Sequence, residues 1–407
     1  MSETRQQAER AKAAYFKLQT LDRTAILNDL AKALRARSDE IFAANEKDLA
    51  AARNTLSKPL YKRLVLDEPK LRDVIDGIEQ IAHMEDPVGR VMEETELDDN
   101  LVLKKVKTPI GVIAAIFESR PDVVPQIAAL ALRSGNAVLL KGGREAIHTN
   151  AALGNVIQSA LHDHGIADAV QLVSTREEVA ELLGMEDLIS LVVPRGSNEM
   201  VRSIQERTKI PVLGHADGIC HVFIDESADL EKAVRIAIDS KTAAPSACNA
   251  AETLLVHRRF PQIDKLLDKL KQTGVDLRME SEFGHEFLDL ILSVHLVDGL
   301  DEAMDHIRQY GSSHTDAIVT ENSSNAQRFL REVDSAGVYW NASTHFADGY
   351  RYGLGAEVGI STNRTHARGP VGIDGLMIYK YQLIGDGHIA ATYKGQNARP
   401  FTHRRRI

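Results

Sequence analysis

Ile110-Gly111-Val112-Ile113-Ala114-Ala115-Ile116-Phe117 is a wholly apolar run of strand length, suited to a strand covered on both faces. The residues beyond it decide the architecture. Val124, Ile127, Ala128, Ala131 and Leu132 recur at helical spacing and stop at Ser134-Gly135-Asn136. Ala137 to Leu140 reads as the next strand, a helix around Ala151 to His162 ends at Gly165, and Ala169 to Val173 reads as a third strand. Thr175-Arg176-Glu177-Glu178 has the form of a capping box, in which each end's side chain accepts from the other's backbone N–H. Leu188 to Val193 is again a strand, and Gly196-Ser197 precedes a helix through Ile204. Such alternation implies an α/β fold of right-handed crossovers, with a parallel sheet covered by helices. Ligands of these sheets bind beyond the carboxyl ends of the strands. Those ends are Glu118-Ser119-Arg120, Lys141-Gly142-Gly143-Arg144 and Pro194-Arg195-Gly196-Ser197. Their cations and glycines suit a phosphate-bearing ligand.

Before this unit, the first 85 residues read as helical, with Ile26, Leu27, Leu30 and Leu34 on one face of a helix over Asp22 to Arg37. Asp86-Pro87 breaks that pattern, an acidic stretch runs from Glu93 to Asp99, and Leu101 to Lys107 alternates as a half-exposed strand does. After it comes a second α/β unit. Leu230, Ala233, Val234, Ala237 and Ile238 form a helical stripe capped by Ser227 or Asp229. Glu252 to Val256 is a strand, Asp301 to Tyr310 a helix and Ala317 to Thr320 a strand. Asn341 to Pro370, rich in glycine, serine, threonine and arginine, has the composition of an active-site loop region, and Tyr379 to Tyr393 suits a terminal strand pair for subunit contact.

The 407 residues, 43% hydrophobic and 26% charged, suggest two or three domains with ample core. A net charge of −9 argues against a general nucleic-acid binder, which needs a basic surface. No run approaches the roughly 18–20 apolar residues of a membrane span. The amino-terminal residues lack an apolar signal core, and His403-Arg404-Arg405-Arg406-Ile407 reads as a solvated tail, so a cytoplasmic location is expected. The G-x-G-x-x-G fingerprint and the Walker A sequence are both missing, and Gly353-Leu-Gly355-Ala-Glu-Val-Gly359 has the wrong spacing.

Two cysteines do not make a disulfide framework. Cys220, at the mouth of the apolar strand Val222-Phe223-Ile224, reads as a packing thiol. No second cysteine–histidine cluster lies near Cys220-His221 in sequence, so no metal is expected. Cys248 sits in Lys241-Thr-Ala-Ala-Pro-Ser-Ala-Cys248-Asn249, a loop of small residues that a small electrophile can reach. Neighbouring backbone N–H groups can stabilise an oxyanion. Residue chemistry alone leaves open whether this thiol is a nucleophile.

Cys248-Asn249-Ala250-Ala251-Glu252-Thr253-Leu254-Leu255-Val256 closely resembles the cysteine segment of the gamma-glutamyl phosphate reductases, a branch of the aldehyde dehydrogenase superfamily. Glu118-Ser119-Arg120-Pro121, Gly214-His215-Ala216-Asp217-Gly218-Ile219-Cys220-His221, Asn341-Ala342-Ser343-Thr344, Gly353-Leu354-Gly355-Ala356-Glu357 and His366-Ala367-Arg368-Gly369-Pro370 match as well, in order along nearly the whole chain. The resemblance implies a Rossmann-type cofactor domain without the usual glycine fingerprint (1–98 and 108–225), an α/β catalytic domain (226–365) and a β oligomerisation arm (99–107 and 379–400). It implies an oxidoreductase of proline biosynthesis in which Cys248 attacks the acyl phosphate of L-glutamyl 5-phosphate. Phosphate leaves, and reduction of the thioester yields L-glutamate 5-semialdehyde. Asn249 belongs to the same catalytic segment. Ser119 matches the oxyanion-holding asparagine of hydrolytic relatives, and Gly214 stands where they keep a glutamate base.

For the cofactor, Lys141 resembles the lysine that contacts the adenosine ribose, and Arg144 would attract a 2′-phosphate, favouring NADPH. Gly196 and Ser197 are expected at the phosphates and Glu286 at the nicotinamide ribose. Arg351, Arg364 and Arg368, with Asn341 and Ser343, are the expected substrate-binding residues. The expected partners are the small-molecule substrate, further copies of this chain and a glutamate kinase handing over its unstable product. Two departures remove cations that the family pattern leads one to expect, at Ala244 and His345. They suggest one alternative, a catalytically silent oligomeric scaffold; a hydrolytic semialdehyde or aldehyde dehydrogenase is a second.

Overall fold

In the computed structural model, which describes residues 2–215 and 217–407, the amino-terminal segment forms five helices. They are α1 (Glu3–Leu18), α2 (Arg23–Ala36), α3 (Ser38–Ala52), α4 (Lys58–Leu64) and α5 (Glu68–His83). Helix α2 shows why they form. Asp22 accepts from the N–H groups of Thr24 and Ala25 at its start, and Ile26, Leu27, Leu30 and Leu34 are all fully buried. Ala216, within the quoted segment around His215, lies outside the described residues.

The acidic stretch is itself a strand, which its composition hides. β1 (Val91–Asp98) pairs antiparallel with β2 (Leu101–Pro109), and Glu93 and Glu94 stand opposite Lys105 and Lys104 at 2.9 and 3.2 Å. Opposite charges facing across a ladder stabilise it in place of apolar contacts. β3 (Val112–Phe117) is buried along its whole length and is followed by α6 (Val123–Arg133), β4 (Ala137–Lys141), α7 (Ile147–His162), β5 (Val170–Leu172), α8 (Arg176–Leu182), β6 (Leu191–Arg195) and α9 (Asn198–Arg207). These four strands make a parallel sheet in the order β5-β4-β3-β6. The Thr175/Glu178 capping box opens α8.

A second parallel sheet runs β12-β11-β7-β8-β10-β9. Its strands are β7 (Cys220–Ile224), β8 (Ala251–His257), β9 (Asp276–Met279), β10 (Ile291–Val297), β11 (Thr315–Val319) and β12 (Gly337–Trp340). Its helices are α10 (Leu230–Thr242), α11 (Ile263–Gln272), α12 (Leu300–Tyr310) and α13 (Ser323–Glu332). Period-two alternation sends Val222, Leu254 and Val294 to the face shared with Ala233, Leu266 and Leu270. Phe223, Leu255 and Ile318 go to the face shared with Met304, Ile307 and Phe329. Asp229, not Ser227, caps α10 by accepting from the Lys232 N–H. The loop-rich stretch holds a 3₁₀ turn over Thr344–Phe346 and a short strand pair, β13 (Ile360–Ser361) with β14 (Gly369–Pro370).

The carboxyl-terminal segment corrects the expected strand pair within 379–393. The stretch 379–393 takes in most of one strand, β15 (Met377–Ile384), and a 3₁₀ turn over Ala390–Tyr393, and the partner of β15 is β2. The basic tail is not frayed. β16 (Arg404–Arg405) pairs with β1, and Arg406 reaches Glu96 at 2.6 Å. The resulting sheet, β15-β2-β1-β16, therefore includes β1, which the expected boundaries assigned to the cofactor domain.

The chain divides into two compact units. One runs to Gly196 and includes Ile204–Val212 and Gly372–Ile407; the other holds Ser197–Ser203 and Leu213–Val371. The expected break after residue 225 falls inside the second unit, because β7 is hydrogen-bonded to β8 and β11 there. Among the described residues no helix is long and apolar enough to cross a membrane.

Candidate active site

In the second unit the chemistry gathers at the amino-terminal edge of the sheet. Cys248 lies three residues before β8 begins, Cys220 opens β7, and His314 immediately precedes β11. The cysteine loop is held by its ends. Lys241, in the last turn of α10, meets Glu252 of β8 at 2.7 Å, with both side chains wholly buried. Burial pushes the Glu252 carboxyl up to about 7 despite the nearby ammonium, and it pushes Lys241 down. Between these ends Ala247 N–H bonds Ala244 O and Ala250 N–H bonds Ala247 O. The N–H groups of Cys248 and Asn249 make no hydrogen bond among the described residues.

Gly218 allows the approach of another backbone segment. A Cβ there would lie 2.3 Å from Cys248 O and 2.6 Å from its Cα. Cys220 is buried, and its thiol donates to Cys248 O at 3.4 Å. Burial raises that thiol well above its ordinary value, so it stays protonated. Cys248 is only partly buried.

Two histidines flank Cys248. Its Sγ and one ring nitrogen each of His215 and His314 lie within 4.8 Å of one another. His215 Nδ1 donates to Ile360 O at 2.7 Å, and His314 Nδ1 is 3.0 Å from Thr315 Oγ1. His314 is wholly buried, and its Nε2 has no partner among the described residues.

Asn249 ties the loop to the loop-rich segment. Its Nδ2 donates to Ala347 O at 3.0 Å, and its Oδ1 meets His345 Nδ1 at 2.8 Å. Its side chain is thus committed to holding the loop, and the donors left there without an acceptor among the described residues are the backbone N–H groups of Cys248 and Asn249. His345, where a cation is expected, is buried, and burial lowers its pKa, so it does not replace the missing arginine charge at neutral pH. Arg351 Nη1 donates to His345 O at 2.6 Å, which links it to the cysteine loop.

The other expected substrate residues have structural partners. Ser343 accepts from Ser240 Oγ and from His345 N. Asn341 bonds the backbone of Thr320 beyond the carboxyl end of β11, the sheet edge opposite Cys248. Arg364 and Arg368 both pair with Asp334 at 2.6 Å. Glu286 accepts from Gly218 N at 3.1 Å and from Asn198 Nδ2 at 2.7 Å, which fixes both carboxylate oxygens.

In the first unit, Ser119 sits beyond β3 with φ +46, and both its N–H and its hydroxyl donate to Glu145 Oε1 at 2.6 Å. Gly143 leaves room for Glu145, since a Cβ there would meet that oxygen at 2.0 Å. Lys141 ends β4 and Arg144 begins the short 3₁₀ turn before α7. Gly196 follows β6, and Ser197 Oγ accepts weakly from Met200 N, 3.4 Å away, at the start of α9. Sequence reasoning missed Glu145, His215, His314 and the Lys241–Glu252 pair. His215 and His314 lie 99 positions apart along the chain, so no local spacing could join them.

Residues 1–288 match the model of the aldehyde dehydrogenase family. The chain is 51% identical over 404 residues to gamma-glutamyl phosphate reductase 1 of Synechocystis sp., covering 95% of this chain and 93% of that protein. It is 48% identical over 419 residues to gamma-glutamyl phosphate reductase of Trichodesmium erythraeum, covering 98% and 96%. The crystal structure of gamma-glutamyl phosphate reductase from Thermotoga maritima superposes with a TM-score of 0.92 at 37% identity, over 95% of this chain and all of that one.

Proposed function

The chain belongs to the aldehyde dehydrogenase family, in the branch of the gamma-glutamyl phosphate reductases, and from that premise we propose that it reduces L-glutamyl 5-phosphate to L-glutamate 5-semialdehyde with release of phosphate, in proline biosynthesis. The observation that carries this reading is the half-buried Cys248 on a loop pinned at both ends, beside backbone N–H groups that have no other acceptor.

The Cys248 thiolate attacks the acyl carbon, and the N–H groups of Cys248 and Asn249 hold the oxyanion that forms. Such donors are each worth about 3–4 kcal/mol in comparable sites. The carbon–oxygen bond to phosphate breaks and a thioester remains on Cys248. When bound, a nicotinamide cofactor supplies the hydride that reduces this thioester. Collapse of the thiohemiacetal on Cys248 releases the semialdehyde and restores the thiolate. Gly214, where hydrolytic relatives keep a glutamate, leaves no base at that position to activate water against the thioester.

The residues present fit that cofactor. Lys141 and Arg144 bracket Gly142-Gly143, and beside them the buried Asn150 Oδ1 has no partner among the described residues. Two cations and an orphaned acceptor suit an adenosine with a 2′-phosphate, so NADPH is the cofactor proposed. Gly196 and Ser197 would approach the phosphates, and the anchored Glu286 would take the nicotinamide ribose. Arg351, the arginine tied to the cysteine loop, is assigned to the substrate carboxylate. On the arm sheet, β15 leaves Ile378, Tyr379, Tyr381 and Leu383 exposed, which supports an oligomer of this chain; the cytoplasm is the location proposed for it.

The test is NADPH oxidation with glutamyl phosphate by wild type and Cys248→Ala, together with semialdehyde oxidation with and without phosphate. Activity lost in the variant and strict phosphate dependence are expected. Turnover to free glutamate without phosphate would replace this reading with hydrolysis.

A further inference from the structure

We propose that Cys248, His215 and His314 form a three-donor site for a thiophilic divalent cation, Zn²⁺, whose binding reversibly blocks the thiol. Cation binding itself is independent of the reductase reading; only the inhibition rests on it.

Three features carry the inference. First, the donor set is the right kind. A thiolate and two imidazoles suit Zn²⁺, which accepts three protein ligands and keeps a fourth position for water. Second, the donors converge from three separate parts of the second unit, with Cys248 Sγ and the two ring nitrogens all within 4.8 Å of one another. Bonds of about 2.0–2.3 Å at tetrahedral angles require donors roughly 3.3–3.6 Å apart. Closing by about 1 Å is within the reach of side-chain rotation at Cys248, whose neighbours Ala247 and Ser246 are small.

Third, the histidines are oriented as ligands are. His215 donates from Nδ1 to the Ile360 carbonyl, so in the neutral ring the lone pair lies on Nε2. His314 Nδ1 is occupied by Thr315 Oγ1. An outer hydrogen bond to a carbonyl, as at His215, fixes the tautomer of a metal-binding imidazole, whereas the Thr315 hydroxyl can donate or accept. His314 Nε2 is wholly buried and without a partner among the described residues, and it offers its lone pair to an electrophile when Nδ1–H donates to the Thr315 hydroxyl. Leaving such a nitrogen unpaired in the interior is costly.

Binding is a ligand exchange without redox. The Cys248 S–H bond breaks and its proton passes to solvent, a sulfur–zinc bond forms, and zinc-bound water is displaced by the two imidazoles. Since the sulfur cannot then attack an acyl carbon, Zn²⁺ and the acyl phosphate compete.

The test has a binding arm and an activity arm, both on the reduced full-length protein. In the binding arm Co²⁺ replaces Zn²⁺ under anaerobic conditions. Wild type should show a thiolate-to-cobalt charge-transfer band, and Cys248→Ser should lack it. His215→Asn and His314→Gln should each weaken Co²⁺ binding by at least about 10–100-fold. In the activity arm Zn²⁺ should inhibit NADPH oxidation, EDTA should reverse it, and the His215→Asn variant should need correspondingly more Zn²⁺. Circular dichroism checks that His314→Gln folds, and the exposed-side ligand His215 provides the independent variant. A Co²⁺ spectrum without the thiolate band, or histidine variants as sensitive as wild type, would overturn the proposal. If Cys248→Ala retained reductase activity, the functional reading would fail while the Co²⁺ spectrum still decided the site.

Discussion

Cys220 and Cys248 sit side by side in space and differ in almost everything that governs a thiol. Cys220 is the first residue of β7, wholly buried, held protonated by its surroundings, and it spends its S–H on the carbonyl of Cys248. Cys248 is on a loop, partly open, with two imidazoles beside its sulfur. One is a packing atom that buttresses the other's backbone. The difference teaches that a thiol's accessibility here comes from position in the chain's path, not from the residue type. A strand residue points into a core on a fixed alternation, whereas a short loop between a helix and a strand can turn a side chain outward.

The largest expected effect tests the open side of this pair. Cys248→Ala should lower reductase activity by at least about 10³-fold with an unchanged unfolding transition, because the proposed nucleophile is removed and little packing is lost. A variant with activity within tenfold of wild type would move the chemistry elsewhere.

The support beneath the loop comes next. Lys241→Met leaves Glu252 buried and unpaired, and it should cost about 3–5 kcal/mol in urea unfolding. The pair also sets a pH dependence. Glu252 titrates near 7 in the fold and at its ordinary 4.5 when unfolded. Between those values the native state holds the extra proton, so this group's contribution to stability falls as pH rises. The double variant Lys241→Met/Glu252→Gln should therefore lose less stability than wild type from pH 4.5 to 7.

Gly218→Ala sharpens the geometric side. Its Cβ would press on the Cys248 backbone at 2.3 and 2.6 Å and on its Cβ at 2.7 Å, and a displacement of about 1 Å should reduce kcat about 10²-fold. The smallest effect belongs to the closed thiol. Cys220→Ala should cost about 1–2 kcal/mol and leave activity within a few-fold, and iodoacetamide should modify Cys248 but not Cys220 in the native protein. Equal alkylation of both would erase the contrast.

Much of the molecule is legible in its sequence. The βαβ alternation around Ile110–Phe117 is written in local apolar periodicity, as is the second α/β unit, and the aldehyde dehydrogenase-like fold expected from the matching segments is the one found. Strand β1 is hidden there, because its glutamates pair with lysines on β2 instead of facing a core. The basic tail reads as solvated for the same reason: its arginines find Glu94 and Glu96 only when β16 lies against β1. Among the three arginines, sequence offers no ranking, since only the fold puts Arg364 and Arg368 on Asp334 and Arg351 on His345.

By itself the sequence determined the layered architecture, the existence of one packing thiol and one loop thiol, and the family, because these depend on patterns within a few tens of residues. Only the tertiary structure decided what surrounds the loop thiol. Gly218, Lys241, His215, His314 and His345 reach Cys248 or its loop from four separate segments, and parallel strands bring their amino ends together however far apart they lie in the chain. Long-range proximity is set by which strands neighbour which in the sheet, and no local periodicity encodes that order.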